Sequence, residues 1–204
     1  TDPFKRMDRC CIPDSAENFQ RQLNSGRDPG TPHDPGYSRL VQIRDITTTD
    51  VPQLVRLNNH NVPAVSPSDA GGMSALLATT DAAIAVVDEA APSAVVGFAL
   101  LFRPGADYAS ENFRWFEARG GDFLYVDRIV VDDAAQNRGA GRLLYDRIFE
   151  RARALGLGEV TCEVNVAPPN PGSMRFHERL GFTEVGRQST KGDTIVVAML
   201  AARA

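Results

Sequence analysis

Cysteine is scarce in this chain, with 3 among 204 residues, and two of them, Cys10 and Cys11, are neighbours in a polar stretch. The third, Cys162, stands alone in an apolar run. No disulfide framework or metal-ligand spacing can be built from that set, so no metal site is expected and the reducing cytoplasm is the expected location. Strong charge bias is missing too. The 22 Lys and Arg against 26 Asp and Glu leave a net charge of −4, which offers no electrostatic reason to expect nucleic acid or an anionic membrane as a partner. No apolar run approaches the roughly 20 residues of a bilayer-spanning helix, and no charged-then-apolar leader pattern is expected. Two phosphate-binding signatures are absent as well. A Walker loop needs Gly-Lys-Ser/Thr, where Gly141-Arg142-Leu143 stand; a dinucleotide fingerprint needs a third glycine, where Leu144 stands.

What is present divides in two. Residues 1–38 repeat Asp-Pro, Ser-Gly and Asp-Pro-Gly with few aliphatic residues, too little apolar surface to offset the entropy of ordering. They are expected to form a disordered N-terminal extension, with a short helical stretch around residues 16–23 and Met7 as the natural start. Residues 39–204 are expected to form a single domain. Its first strand is Leu40–Ile46, followed by a helix capped by Thr48 or Thr49 that buries Val51, Leu54, Val55 and Leu57. A weaker helix, Ser68–Ala78, precedes a hairpin of Ala83–Val87 and Ala94–Phe102. Ser110–Arg119 is a short helix rich in aromatics.

Phe123–Val131 is the central strand, and uninterrupted alternation along it puts Tyr125, Asp127, Ile129 and Val131 on one face. Gly139–Leu155 is a long helix with Leu144, Ile148 and Ala152 stepping by four along its buried side. Glu159–Val166 is a strand. Asn170 caps a last helix with Pro171 at its first position and Gly181 just past its end, the usual asymmetry of helix termini. Strands Thr183–Gln188 and Thr194–Leu200 follow. This order predicts an α/β fold, a mixed and mostly antiparallel sheet with helices on both faces.

The connection Gln136-Asn137-Arg138-Gly139-Ala140-Gly141-Arg142 lies between the central strand and the long helix. Helix N-termini carry unpaired N–H donors and the positive end of the dipole, and glycines let an anion approach them. The turn is therefore a candidate diphosphate site, with Arg138 and Arg142 able to add charge-assisted bonds. A second segment, Asn170-Pro171-Gly172-Ser173-Met174-Arg175-Phe176-His177-Glu178-Arg179-Leu180-Gly181-Phe182, follows one helix and one strand later. Together the two segments resemble the GNAT superfamily of N-acetyltransferases. The resemblance covers roughly residues 39–204 and is nearest to a subgroup with a Pro-Pro-Asn-Pro loop before the last helix.

That resemblance implies acetyl-CoA as the co-substrate and a central strand pair that splays apart to admit its pantetheine arm. The N–H of Ile129 would then face the acetyl oxygen, and the backbone of Val130 and Val131 would hold the arm. Gln136 through Arg142, with Asn170, Ser173, Phe176 and His177, would complete the cofactor wall. Glu163 and Asp127 stand in otherwise apolar strands and are the candidate bases, since burial raises a carboxylate's pKa. Each has a plain alternative: Asp127 paired with a cation, Glu163 turned to solvent. His177 takes the place of the family tyrosine that protonates the leaving thiolate. A core histidine bonded to a backbone carbonyl explains it equally well.

The acceptor pocket falls, by the same resemblance, between the first helices and the loop before the central strand. That region contains Asn58, Asn59, His60 and Asn61, and Tyr108, Trp115 and Phe116. A solvated helix cap explains the run from Asn58 to Asn61 nearly as well, and Trp115 and Phe116 have the alternative of only filling the gap beneath the loop. The expected activity is transfer of acetyl to a primary amine, the partners being a small-molecule amine or peptide acceptor and a second copy in a homodimer. A non-catalytic acyl-CoA-binding module and a nucleotide-binding domain are the rival readings.

Overall fold

The computed structural model describes residues 41–136 and 138–204. The expectations for residues 1–38, Leu40 and Asn137 lie outside the described residues. Within them, seven strands form one sheet: β1 (Val41–Asp45), β2 (Ala82–Asp88), β3 (Ala91–Phe102), β4 (Phe123–Val131), β5 (Glu159–Ala167), β6 (Thr183–Thr190) and β7 (Ile195–Arg203). Their spatial order is β1-β2-β3-β4-β5-β7-β6. Neighbours are antiparallel except β4 and β5, which run parallel because a whole helix, α4 (Ala140–Ala154), connects them.

The remaining helices are α1 (Val51–His60), α2 (Ala70–Thr79), α3 (Glu111–Arg119) and α5 (Pro171–Arg179). Two apolar layers sandwich the sheet. On one face Val51, Leu54 and Leu57 of α1, Met73 of α2, and Phe113 and Phe116 of α3 pack against Ala85, Phe98, Leu100 and Tyr125. On the other, Leu144, Tyr145, Ile148 and Ala152 of α4 meet Leu101, Leu124, Val126, Val160 and Cys162.

Local chemistry explains most boundaries. Ser110 Oγ accepts from the Phe113 N–H to start α3, and Asn170 Oδ1 accepts from the Ser173 N–H (3.1 Å) to start α5. Gly181, at φ +88°, lets the chain turn left-handed just after α5. The start of α1 corrects the expected cap. Thr47, not Thr48 or Thr49, caps a short 3-10 turn (Thr48–Asp50) that leads into α1, whose own N-cap is Asp50. Thr47 donates its N–H (2.8 Å) and hydroxyl (3.0 Å) to the Asp50 carboxylate, which Arg44 grips with two nitrogens at 2.7 and 2.8 Å. That grip holds the Asp50 carboxyl down at about 2.

The feature that positions the site is in β4. Leu100 lies opposite Arg128 and Leu101 opposite Val126, so Asp127 is an extra residue with no partner in β3. Such a bulge bends a strand and resets its alternation. Tyr125 accordingly faces the α1–α3 layer while Ile129 and Val131 face the α4 layer, which corrects the expectation that they share a face. β4 also leaves β5 at this level: the parallel pairing stops after Phe123–Glu159, Leu124–Val160 and Tyr125–Thr161.

Candidate active site

Beyond Tyr125 and Thr161 the two strands part, and a cavity of about 510 Å³ opens between them. β4 lines it through Asp127 to Ile129 and β5 through Cys162 to Asn165. The start of α5, the α1–α2 loop, the start of α3 and the β6–β7 turn complete the wall.

The free edge of β4 follows from strand geometry. Successive N–H groups point to alternate sides of a strand, and that of Asp132 donates to the Val96 carbonyl on the β3 side (2.8 Å). Those of Val131 and Ile129 therefore point into the gap. Val130 points back: its carbonyl lies where a side chain on Gly97 of β3 would be 2.9 Å away, and its side chain is buried in the α1–α3 layer. This corrects its expected place beside the cofactor.

At the end of the same strand, Gly139 sits at φ +82° as the N-cap of α4, a conformation that L side chains rarely take. Its C=O receives the Leu143 N–H (2.9 Å), so the helix's first-turn donors face outward at Ala140 to Arg142. Gln136, Arg138 and Arg142 are exposed around the turn, Gln136 held to Asp133 (2.7 Å) and Arg142 to Asp146 (2.8 Å). Gly141 has a packing reason beside anion approach. A Cβ there would be 3.2 Å from the Phe176 ring, which packs on the first turn of α4 and on Tyr145. Phe176 is thus part of the α4–α5 contact, beside the Gln136–Arg142 turn rather than in the cavity wall.

Two carboxylates lie on the cavity floor, each fixed by two donors. Asp127 accepts from Tyr108 Oη (2.6 Å) and from Arg128 Nε (3.3 Å). Glu163 accepts from Tyr125 Oη (2.8 Å) and Asn112 Nδ2 (2.9 Å), so it is not turned to solvent. Burial, then the nearby charge of Asp127, pushes the Glu163 carboxyl up to about 8. Burial also lifts Asp127 above the ordinary carboxylate range, with Tyr108 and Arg128 acting against the rise. Both tyrosine hydroxyls are driven up by burial first and by these carboxylates second, so both act as donors.

His177 is 3% exposed at the far wall. Its Nδ1 is 2.8 Å from the Ser173 carbonyl, which can only accept, so Nδ1 carries the proton. Nε2 then accepts from Tyr145 Oη at 2.7 Å. Burial lowers the imidazole's pKa, consistent with this neutral form. Both nitrogens are engaged within the protein, the arrangement of a core histidine bonded to a carbonyl. Asn170 and Ser173, also expected here, line the same wall.

The acceptor expectations divide. Tyr108 and Asn61 line the cavity. Trp115 does not: its ring rests on Gly186 of β6, where a Cβ would be 2.4 Å away. Phe116 is fully buried against Phe123 and Tyr125. Asn59 pins the α1–α2 link by exchanging bonds with Ser68 (2.8 and 3.0 Å), and His60 reaches Asp133 (3.1 Å) outside the cavity. Asn58 is buried and accepts from Arg128 Nη1, which also donates to the Ser66 carbonyl (3.0 Å). Three residues that sequence reasoning missed, Asn112, Tyr125 and Arg128, are with Tyr108 the donors that set the two carboxylates. Position 128 carried a usable signal, a charged residue beside Asp127 within a strand.

Comparison with known proteins agrees with this geometry. The family model described as "Acetyltransferase (GNAT) family" matches residues 58–182. Among solved structures, that of Arabidopsis thaliana NAA60 in complex with acetyl-CoA aligns with a TM-score of 0.64 at 16% identity, covering 80% of this chain and 98% of that one. The ribosomal-protein-alanine N-acetyltransferase of Brucella melitensis aligns with a TM-score of 0.60 at 21% identity, covering 80% and 99%. The ribosomal-protein-S18-alanine N-acetyltransferase of Escherichia coli gives 0.60 at 16%, covering 80% and 94%. None of the curated proteins compared with the chain matches it. The chain belongs to the acetyltransferase (GNAT) family.

Proposed function

We propose that this protein is an N-acetyltransferase that moves the acetyl group of acetyl-CoA directly to the primary amine of an acceptor bound beside it. One observation carries the reading: β4 parts from β5 after Tyr125, freeing the edge N–H groups of Ile129, in the cavity that also holds Asp127 and Glu163, and of Val131 beyond it. The residues fit a long amide-bearing thioester with a diphosphate. An open strand edge leads to the glycine-bearing start of α4, and a side chain at Gly139 would be strained there. When bound, acetyl-CoA supplies an activated carbonyl and a thiolate leaving group.

The chain's own groups then divide the work. The turn from Gln136 to Arg142 holds the diphosphate, with Arg138 and Arg142 adding charge. The Val131 backbone, with Asn170 and Ser173 opposite, positions the arm. The Ile129 N–H would face the carbonyl oxygen, and a fixed donor of this kind is worth about 3 kcal/mol of barrier. Glu163 takes the proton of the amine, directly or through a water, its raised pKa suiting it to a base near neutrality. Asp127 holds the acceptor side. The hydrogen bonds of His177 favour a positioning part, fixing Tyr145 and the start of α5, over proton donation.

The finer parts of this reading are a small amine or peptide acceptor, the Pro-Pro-Asn-Pro subgroup, a homodimer and a cytoplasmic location. Sedimentation equilibrium tests the dimer. Release of free coenzyme A thiol from acetyl-CoA across an amine and peptide panel tests the activity. Tight acetyl-CoA binding in calorimetry with no thiol release from any acceptor would replace the enzyme with a non-catalytic acyl-CoA-binding module.

A further inference from the structure

We infer that the acceptor is held as an ammonium ion whose neighbouring carbon bears no carboxylate, so that the site takes simple amines, amino-acid amides and peptide N-termini and refuses free α-amino acids. The inference rests on the acetyl-transfer reading for the location of the reacting amine.

The argument is one of charge within the cavity. Its floor carries Asp127 and Glu163, each already oriented by two donors. The orientation of Asn112 is itself fixed, because Gln188 Nε2 donates to its Oδ1 (3.0 Å) and leaves its Nδ2 for Glu163. Lone pairs left on the two carboxylates face a cationic guest. Burial lifts both carboxyls and the charge of Asp127 lifts Glu163 further, so an ammonium seated beside them adds positive charge next to Glu163, which has no cation of its own.

An α-carboxylate would have to be seated within a few ångströms of that ammonium, next to the same floor. Among the described residues lining the cavity, the permanent cations are Arg128 and Lys191. Arg128 is committed to Asp127, Asn58 and the Ser66 carbonyl. Lys191 stands in the β6–β7 turn and is exposed, so its ammonium stays in water rather than among the buried groups of the floor. His177 is neutral, with both nitrogens engaged. A carboxylate at that depth would therefore lose its hydration and meet like charge. An amide or alkyl group in its place meets Pro63, Ala64 and Val65 of the α1–α2 loop, which ask for no charge.

The test is a set of matched pairs: the amides and free acids of glycine, alanine and phenylalanine. Each is titrated calorimetrically into full-length enzyme saturated with coenzyme A, and each is assayed with acetyl-CoA for thiol release. The amide of every pair should bind at least 30-fold more tightly and show at least a 100-fold higher kcat/KM. Asp127→Asn should shrink the binding ratio about tenfold, its fold checked by melting temperature; the wild-type pairs decide the matter if that variant does not fold. Acids that bind as tightly as their amides, or amides that do not bind at all, overturn the inference. Amides that bind selectively yet release no thiol leave it standing and remove the acetyl-transfer reading instead.

Discussion

The two halves of β4 share one neighbour and treat it differently. From Phe123 to Tyr125 the strand pairs with β5 and is sealed in the core; from Asp127 onward it bends away and its backbone groups open into a cavity. The residue between these regimes is a one-residue bulge carrying a carboxylate. The contrast teaches that the site is made by interrupting a ladder. The same interruption frees the N–H groups proposed to face a thioester and places Asp127 and Arg128 in the cavity wall. The cofactor wall is thus mainly backbone and the acceptor wall mainly side chain, and substitutions on the two walls should fail in different ways.

The largest effect is expected on the acceptor wall. Glu163→Gln keeps the shape and the bond from Tyr125 but cannot take a proton. Turnover should fall about 100- to 1,000-fold, with acetyl-CoA affinity unchanged. The base acts when deprotonated, and its carboxyl is held up to about 8. Wild-type kcat/KM should therefore rise with pH through that value and level off above it, and the variant should lack the rise. An unchanged pH profile would assign the base elsewhere.

On the cofactor wall the failure should be in binding. Gly139→Asp puts an L residue at φ +82° and a negative charge beside the proposed diphosphate seat. The left-handed conformation alone costs about 1–2 kcal/mol. Acetyl-CoA affinity measured by calorimetry should drop at least 30-fold while the circular dichroism spectrum stays native. Equal affinity would place the diphosphate away from the start of α4.

How far these walls could be read in advance differs in the same way. Gly139, Asn170, Pro171 and Gly181 are legible because a helix end demands particular backbone conformations and donors, and few residue types supply them. The sheet and its helices were legible from apolar periodicity, and so was the parting of the strands through the family resemblance. The bulge was not. Nothing in Leu124-Tyr125-Val126-Asp127-Arg128-Ile129 marks an extra residue, and alternation is a rule for uninterrupted strands. Trp115 stays open between two roles because an aromatic on an amphipathic helix suits a pocket and a core equally; the small Gly186 on another strand draws it to packing. The polar run Asn58 to Asn61 scattered to four tasks, since helical geometry sends consecutive side chains in different directions.

A smaller effect separates chemistry from support. His177→Phe removes the bonds to Ser173 and Tyr145 and leaves the Tyr145 hydroxyl without that partner in the core. Stability should fall by about 1–3 kcal/mol in denaturant titration, with kcat held within threefold at a temperature where the variant stays folded. A kcat loss of 100-fold without loss of stability would restore His177 as the proton donor.

The smallest change probes the closed half of the strand pair. Thr161 lies opposite Tyr125 at the last paired position, fully buried, and among the described residues its hydroxyl has no hydrogen-bond partner. A buried donor left unpaired costs more than the apolar group that could replace it. Thr161→Val retains the branched shape suited to a strand and should raise stability by about 1 kcal/mol, leaving kcat and KM unchanged. If turnover instead falls, the hydroxyl serves the cavity beyond it, and the division of β4 into a structural half and a chemical half has to move by one residue.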